Sequence, residues 1–361
     1  MKNIFFRVDA STEIGSGHVM RCLTLANILV EKGLRCEFIC RKHDGHLTQF
    51  IKDKGFNVYN LNKSKMTSYI EDDYLSWLGE TEENDAFECI KILKIHSVSW
   101  VVVDHYGIGK NWEKLIKNYC NKLFSIDDLA DKIHDCDALL DQTYGRNKND
   151  YIDLVPDNCD IFTGSRYALL RSEFSVHRPK SLSRREDGSI KKVMINLGGV
   201  DKNNHTLAIL NILEKMDDLK NINFSVVLGS SAPNLESVQE KCLKHRYNIE
   251  LLVAVDNMAE LMSNCDLAIG AAGTTTWERC CLGLPTILLT LAKNQKHIVD
   301  NLSKENIALV ISLSDCLEST LMSNIRKCLY EKETLANMTN SSIALVDGNG
   351  ANKIALYLQE N

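Results

Sequence analysis

Ile4-Phe5-Phe6-Arg7-Val8-Asp9, followed by Gly15-Ser16-Gly17-His18 and then the apolar run Val19 to Val30, reads as strand, glycine turn and helix. A short, mostly apolar run makes the first segment a strand, and a longer apolar pattern makes the last a helix. Glycines at such a turn let the backbone approach a ligand closely. A histidine on the first helical turn has its ring at the positive end of the helix dipole, which disfavours protonation and suits a general base. The turn is not a dinucleotide fingerprint: no third glycine follows, and Asp9 precedes the turn, whereas that motif places its acid about 20 residues beyond it.

Working outward, short β-branched or apolar runs alternate with helical patterns along the whole chain. In the first half they are Arg35–Cys40, Val98–Asp104, Lys122–Ile126 and Asp137–Leu140. In the second half they are Lys192–Leu197, Asn223–Leu228, Ile249–Val253, Leu267–Ile269, Pro285–Leu289 and Ile307–Ile311. Strands alternating with helices imply parallel sheets covered on both faces. At 361 residues the chain exceeds the usual span of one core, so two domains are expected. The polar, aperiodic stretch around Arg178-Pro179-Lys180-Ser181 has the composition of a linker. The predicted division is therefore residues 1–177, a linker at 178–191, a second domain at 192–346, and a C-terminal helix at 347–361 that packs back on the first domain. Two such domains facing each other place a ligand in a cleft beyond the carboxyl ends of the strands.

Composition narrows the partner. A net charge of −6 without long basic runs argues against nucleic acid. No apolar stretch is long enough to span a membrane and no leader pattern opens the chain, so a cytoplasmic protein with a small-molecule substrate is expected. The 13 cysteines are scattered and often embedded in apolar segments, which fits reduced thiols. Cys36, Cys40, His43 and His46 lie close together, yet their spacing departs from that of zinc fingers, and no metal or other cofactor is expected.

The second half has its own glycine turn, Gly270-Ala271-Ala272-Gly273-Thr274-Thr275-Thr276, after the run Leu267–Ile269. Small residues and hydroxyls at a helix start offer N–H and O–H donors to an anion, and the turn reads as a diphosphate cradle. Glu278, one turn further on, is placed to accept hydrogen bonds from a ribose diol; the competing reading is a capping box with Thr275. Gly198 and Gly199, after the first strand of the second half, form a turn suited to closing on the same phosphates. Asp104-His105-Tyr106 ends a buried strand of the first half, where site residues gather, and His105 is a rival base unless it is satisfied by the backbone. Asn294 and Gln295 are amides suited to sugar hydroxyls or N-acetyl groups.

With these residues assembled, the chain resembles the nucleotide-sugar hydrolases of pseudaminic acid synthesis, which act on UDP-2,4-diacetamido-2,4,6-trideoxy-β-L-altropyranose. The resemblance runs through Arg7-Val8-Asp9-Ala10-Ser11, Ile14 to Arg21, Val103 to Tyr106, Ser125 to Ala130, Leu140-Asp141-Gln142, Gly164 to Arg171, Leu197 to Asp201 and Gly270 to Glu278. It fades over Met66–Glu88. It implies the GT-B glycosyltransferase fold of two Rossmann-like domains, with nucleotide held mainly by the second and sugar over the first. It further implies that His18 is the catalytic base, that Glu278 binds ribose and that Arg166 helps hold the nucleotide. The expected reaction is attack of His18-activated water on the anomeric carbon of a UDP-linked diacetamido-trideoxy sugar, with inversion. The expected contact set is Gly17, Asp104, His105, Tyr106, Arg166, Gly198, Gly199, Gly273, Thr274, Thr275, Glu278, Asn294 and Gln295. The rival readings are a GT-B glycosyltransferase using a UDP-N-acetylated sugar donor, and a non-enzymatic nucleotide-sugar binder.

Overall fold

The computed structural model describes residues 2–63, 74–230, 232–291, 295–312 and 314–361. The chain divides into two units, Met1–Leu169 with Asn349–Asn361, and Leu170–Gly348.

The first unit carries β1 (Asn3–Val8), β2 (Arg35–Arg41), β3 (Asn57–Leu61), β4 (Trp100–Asp104), β5 (Lys122–Ile126), β6 (Ala138–Asp141) and β7 (Asp160–Thr163). They form one parallel sheet in the order β3-β2-β1-β4-β5-β6-β7. The pleat sends successive side chains of β1 to opposite faces. Ile4, Phe6 and Val8 pack with Val19, Leu25 and Leu29 of the helix Gly17–Glu31. Phe5 goes to the other face, into a layer with Cys89, Leu93 and Trp112. Burial on both faces is what a parallel sheet requires, and it explains why these strands read as nearly continuous apolar runs.

Strands β3 and β7 were not singled out by the sequence pattern, and both lie at the edges of the sheet. Edge strands are only partly covered and admit polar residues, here Asn57 and Asn60 in one and Asp160 and Thr163 in the other. The helix Gly350–Glu360 belongs to this unit through Ile354 and Leu358, both fully buried against the same core as the first helix. Each such burial is worth about 1.5–3 kcal/mol.

The second unit repeats the arrangement with β8 (Lys192–Asn196), β9 (Asn223–Leu228), β10 (Ile249–Val253), β11 (Leu267–Ala271), β12 (Thr286–Leu289) and β13 (Leu309–Ile311). These also form a parallel sheet, in the order β10-β9-β8-β11-β12-β13.

The linker expected at 178–191 is corrected by the structure. Arg178–Arg185 is the second half of a helix, Ser172–Arg185, inside the second unit, and the chain crosses between units at Leu169–Leu170. The helix lacks an apolar stripe, with only Phe174 and Ser181 buried, so periodicity could not reveal it. It is held by arginines instead: Arg178 donates to the carbonyls of Ile343 and Val346, both at 2.8 Å, and Arg184 to Asp266 at 2.6 and 3.1 Å. Among the described residues, no helix is long and apolar enough to cross a membrane.

Candidate functional site

In each sheet the strand order reverses direction at one point, between β1 and β4 in the first unit and between β8 and β11 in the second. The crevice beyond the carboxyl ends of the strands at such a switch point is where open α/β sheets bind ligands. The turn bearing His18 follows β1 and Asp104 ends β4. Gly198-Gly199 follows β8, and the Gly270–Thr276 turn follows β11.

In the first unit, Gly15 adopts φ +78°, a left-handed conformation that favours glycine, and its N–H closes the turn on Ser11 O at 2.9 Å. The helix then starts at Gly17, with no side-chain cap bond from Ser16. His18 Nδ1 lies 2.5 Å from Asp104 Oδ1. A carboxylate only accepts, so in the neutral ring Nδ1 carries the hydrogen and Nε2 keeps its lone pair. Nε2 has no hydrogen bond among the described residues.

Asp104 is fully buried and takes two further bonds from Arg21, from Nε at 2.6 Å and Nη2 at 2.7 Å, and a weaker one from Cys22 Sγ at 3.5 Å. Burial alone would raise its pKa, but Arg21 and His18 more than offset this and hold the carboxyl well below the usual range. Arg21 stands three residues after His18 on the same helix face, and its Nη1 reaches Asp128 Oδ2 at 2.5 Å. Asp128 also accepts from Tyr106 OH at 3.0 Å, and the Tyr106 ring meets His18 edge-on at 4.7 Å between centroids. Tyr74 and Trp77 pack on Tyr106 at 5.2 and 5.7 Å. The histidine is thus held by a buried charge network and flanked by the Tyr106 ring, which Tyr74 and Trp77 back.

Asp104 and Tyr106 join His18, whereas His105 does not. His105, the residue just past the end of β4, turns away, buried, with Nδ1 accepting from Gly107 N at 2.9 Å and Nε2 3.4 Å from Asp9. Burial pushes its pKa down to about 3. Its expected contact with substrate therefore has no support in this placement. Gly17 opens the helix beside His18, and Arg166 is exposed on the turn Ser165–Tyr167, its guanidinium over the Tyr167 ring. Cys36 and Cys40 face the apolar core, while His43 leans on Asp9 and His46 on Thr48. Among the described residues, no cluster of three or more His, Cys, Asp or Glu side chains forms a metal site.

In the second unit, the helix after the glycine turn begins at Thr274 with Gly273 as its N-cap, whose N–H donates to Thr276 Oγ1 at 3.2 Å. Thr275 therefore lies inside the helix, and the Thr275–Glu278 capping box does not form. The hydroxyls of Thr274 and Thr275 have no hydrogen bond among the described residues. Glu278 has 17% of its side chain exposed, and its nearest cation is Arg171 at 4.0 Å. Burial raises its pKa. It is a carboxylate with acceptor capacity unspent, in the second turn of a helix whose first turn offers donors.

Gly198 and Gly199 adjoin this turn because β8 pairs with β11, with Asn196 opposite Gly270. Gln295 is spent on the scaffold: its Nε2 donates to Ala272 O at 2.6 Å and its Oε1 accepts from Leu291 N at 2.8 Å. This corrects its expected role toward sugar hydroxyls. Asn294 lies outside the described residues, as do residues 66–73 of the unmatched segment Met66–Glu88. Three participants had no role in the sequence reading. Arg21 and Asp128 lie inside the segments Ile14 to Arg21 and Ser125 to Ala130, and Arg279 directly follows Glu278, but nothing in their local sequence marks what they contact.

Residues 201–355 match the model of the glycosyltransferase family 28 C-terminal domain. The chain is 30% identical over 303 residues, covering 84% of its length and 96% of the relative's, to the UDP-2,4-diacetamido-2,4,6-trideoxy-β-L-altropyranose hydrolase of Campylobacter jejuni. It is 22% identical over 359 residues, 98% of its length and 96% of the relative's, to the spore coat polysaccharide biosynthesis protein SpsG of Bacillus subtilis. Its fold is similar to the crystal structure of MurG from Acinetobacter baumannii, with a TM-score of 0.70 at 13% identity over 100% of both chains. The two α/β units are those of the GT-B glycosyltransferase fold, and the chain belongs to the family of the UDP-2,4-diacetamido-2,4,6-trideoxy-β-L-altropyranose hydrolases, a family of nucleotide-sugar hydrolysing enzymes.

Proposed function

We propose that this enzyme hydrolyses a UDP-linked diacetamido-trideoxy sugar, of the kind named for its Campylobacter relative, to the free sugar and UDP. The first unit supplies the base and the second holds the nucleotide. The observation that carries the reading is His18, whose Nδ1 is tied to Asp104 while Nε2 has no hydrogen bond among the described residues. Nε2 takes a proton from water as the water oxygen bonds to the anomeric carbon. The bond from that carbon to the diphosphate oxygen breaks, and its electron pair leaves with UDP. Water enters opposite the leaving group, so the configuration inverts. The N–H and hydroxyl donors of Thr274 and Thr275, at the open helix start behind Gly273, receive the charge that develops on the diphosphate, Glu278 takes the ribose hydroxyls, and Arg166 assists in holding the nucleotide.

Hydrolysis in ¹⁸O-labelled water tests the bond that breaks. The label is expected at the anomeric oxygen of rapidly sampled sugar and absent from UDP; label in UDP would refute attack at carbon. His18→Asn is expected to lower turnover by about 10² to 10⁴ while UDP affinity holds. The match to the glycosyltransferase family 28 domain favours one other reading, transfer of a UDP-linked N-acetylated sugar to an acceptor. UDP release that depends on an added acceptor would select it.

A further inference from the structure

Arg279 sits in the second turn of the helix Thr274–Cys281 with 2% of its surface exposed. Its Nη2 donates to Ala271 O at 2.7 Å and to Thr276 Oγ1 at 3.3 Å. Among the described residues neither Nε nor Nη1 donates to the protein, and no carboxylate stands within ion-pair distance. The Glu278 carboxylate acts on the guanidinium only from beyond that distance, and a buried guanidinium without an ion-pair contact is costly, so proteins rarely keep one idle. Burial lowers its pKa to about 10, which leaves it cationic at neutral pH.

The space it occupies exists because residue 270 is glycine: a Cβ there would lie 2.3 Å from Arg279 Nη1 and 3.0 Å from Asn196 O. A Cβ on Gly273, by contrast, would meet nothing within 4 Å. Gly270 therefore serves the arginine, and Gly273 stands on the open part of the turn. Thr276 Oγ1 accepts from both Gly273 N and Arg279, so the guanidinium is wired directly to the residue that shapes the helix start.

We propose that Arg279 is a positioning residue for the diphosphate. It braces the Gly270–Thr276 turn from below through Ala271 O and Thr276 Oγ1, and it holds there a positive charge whose counter-ion is the incoming diphosphate. This rests on the reading that the turn binds UDP.

Calorimetric titration with UDP and with uridine separates charge from scaffold. For Arg279→Gln, UDP affinity is expected to fall roughly 10- to 100-fold, the range for a charge-assisted contact in a desolvated place, while uridine affinity stays within twofold. Arg279→Lys, which keeps the charge, is expected to recover most of the UDP affinity. Unchanged UDP affinity in Arg279→Gln, or an equal loss for UDP and uridine, overturns the proposal. Should Arg279→Gln lose its melting transition, Arg279→Lys decides: a UDP-to-uridine affinity ratio within threefold of the parent supports the charge, and a larger fall in that ratio refutes it. Failure of the unaltered enzyme to bind UDP would sink the UDP reading and this proposal with it. Tight UDP binding that ignores residue 279 would sink the proposal alone.

Discussion

Replacing Asp104 with Asn keeps the shape of the side chain and removes the acceptor on which His18 and Arg21 converge. The carboxylate takes bonds at 2.5, 2.6 and 2.7 Å. The amide has one acceptor oxygen. If that oxygen faces Arg21, the amide nitrogen faces His18 Nδ1, which must then give up its hydrogen to Nε2, and the base is lost. If it faces His18, the amide nitrogen opposes the guanidinium, donor against donor. Breaking a buried ion pair costs about 3–5 kcal/mol, but Arg21 retains Asp128 at 2.5 Å, so a loss of about 2–4 kcal/mol is expected. Turnover is expected to drop by about 10² to 10⁴, the range for a misdirected general base. Because the folded carboxyl titrates well below its unfolded value, the stability it adds is present above about pH 4 and lost as the pH falls through the folded pKa. The stability gap between parent and variant should therefore narrow in acid. Urea titrations at pH 7 and pH 3.5, with UDP release as the activity assay, measure both effects. A variant with turnover within threefold of the parent would refute the assignment of Asp104 as the group that orients His18.

Glu278→Ala is expected to weaken UDP binding by about 2–3 kcal/mol, as a diol loses two bonds to a charged acceptor, with the melting temperature unchanged because Glu278 caps nothing; calorimetry and thermal melts read the two separately. His134, buried between Glu113 Oε1 at 2.8 Å and Asp127 Oδ2 at 3.7 Å, would be lowered by burial alone, but its carboxylate partners raise it to about 9. Its protonated form therefore contributes about 2–3 kcal/mol that is fully present below pH 6.5 and lost as the pH rises through 9. His134→Gln should flatten that decline, seen as urea midpoints that no longer fall between pH 6 and pH 9.

How far each feature could be read from the chain depended on how locally its cause is encoded. Repeating apolar runs with glycine turns imply parallel sheets without any knowledge of contacts, because burial on both faces writes itself into every interior strand. The edge strands β3 and β7 carry a weaker imprint, since one flank of each is unpaired. The polar helix Ser172–Arg185 carries none, since its attachment is arginine to carbonyl.

The site divides the same way. His18, Glu278 and the two glycine turns are local signals, each a residue type at a strand-to-helix junction. That His18 meets Asp104, 86 positions away, follows from β1 lying beside β4, which is a matter of strand order and not of spacing. The choice of Asp104 over His105 is decided where β4 ends: Asp104 meets His18, and His105 is engaged by Gly107 N and Asp9. Gly270 is a glycine in the sequence for a reason only packing reveals: the space where its side chain would stand is filled by a guanidinium. Local periodicity determined the elements and the candidate residues. Tertiary structure decided which candidates share a charge network, because electrostatic partners are selected by distance in space, and the chain records only distance along itself.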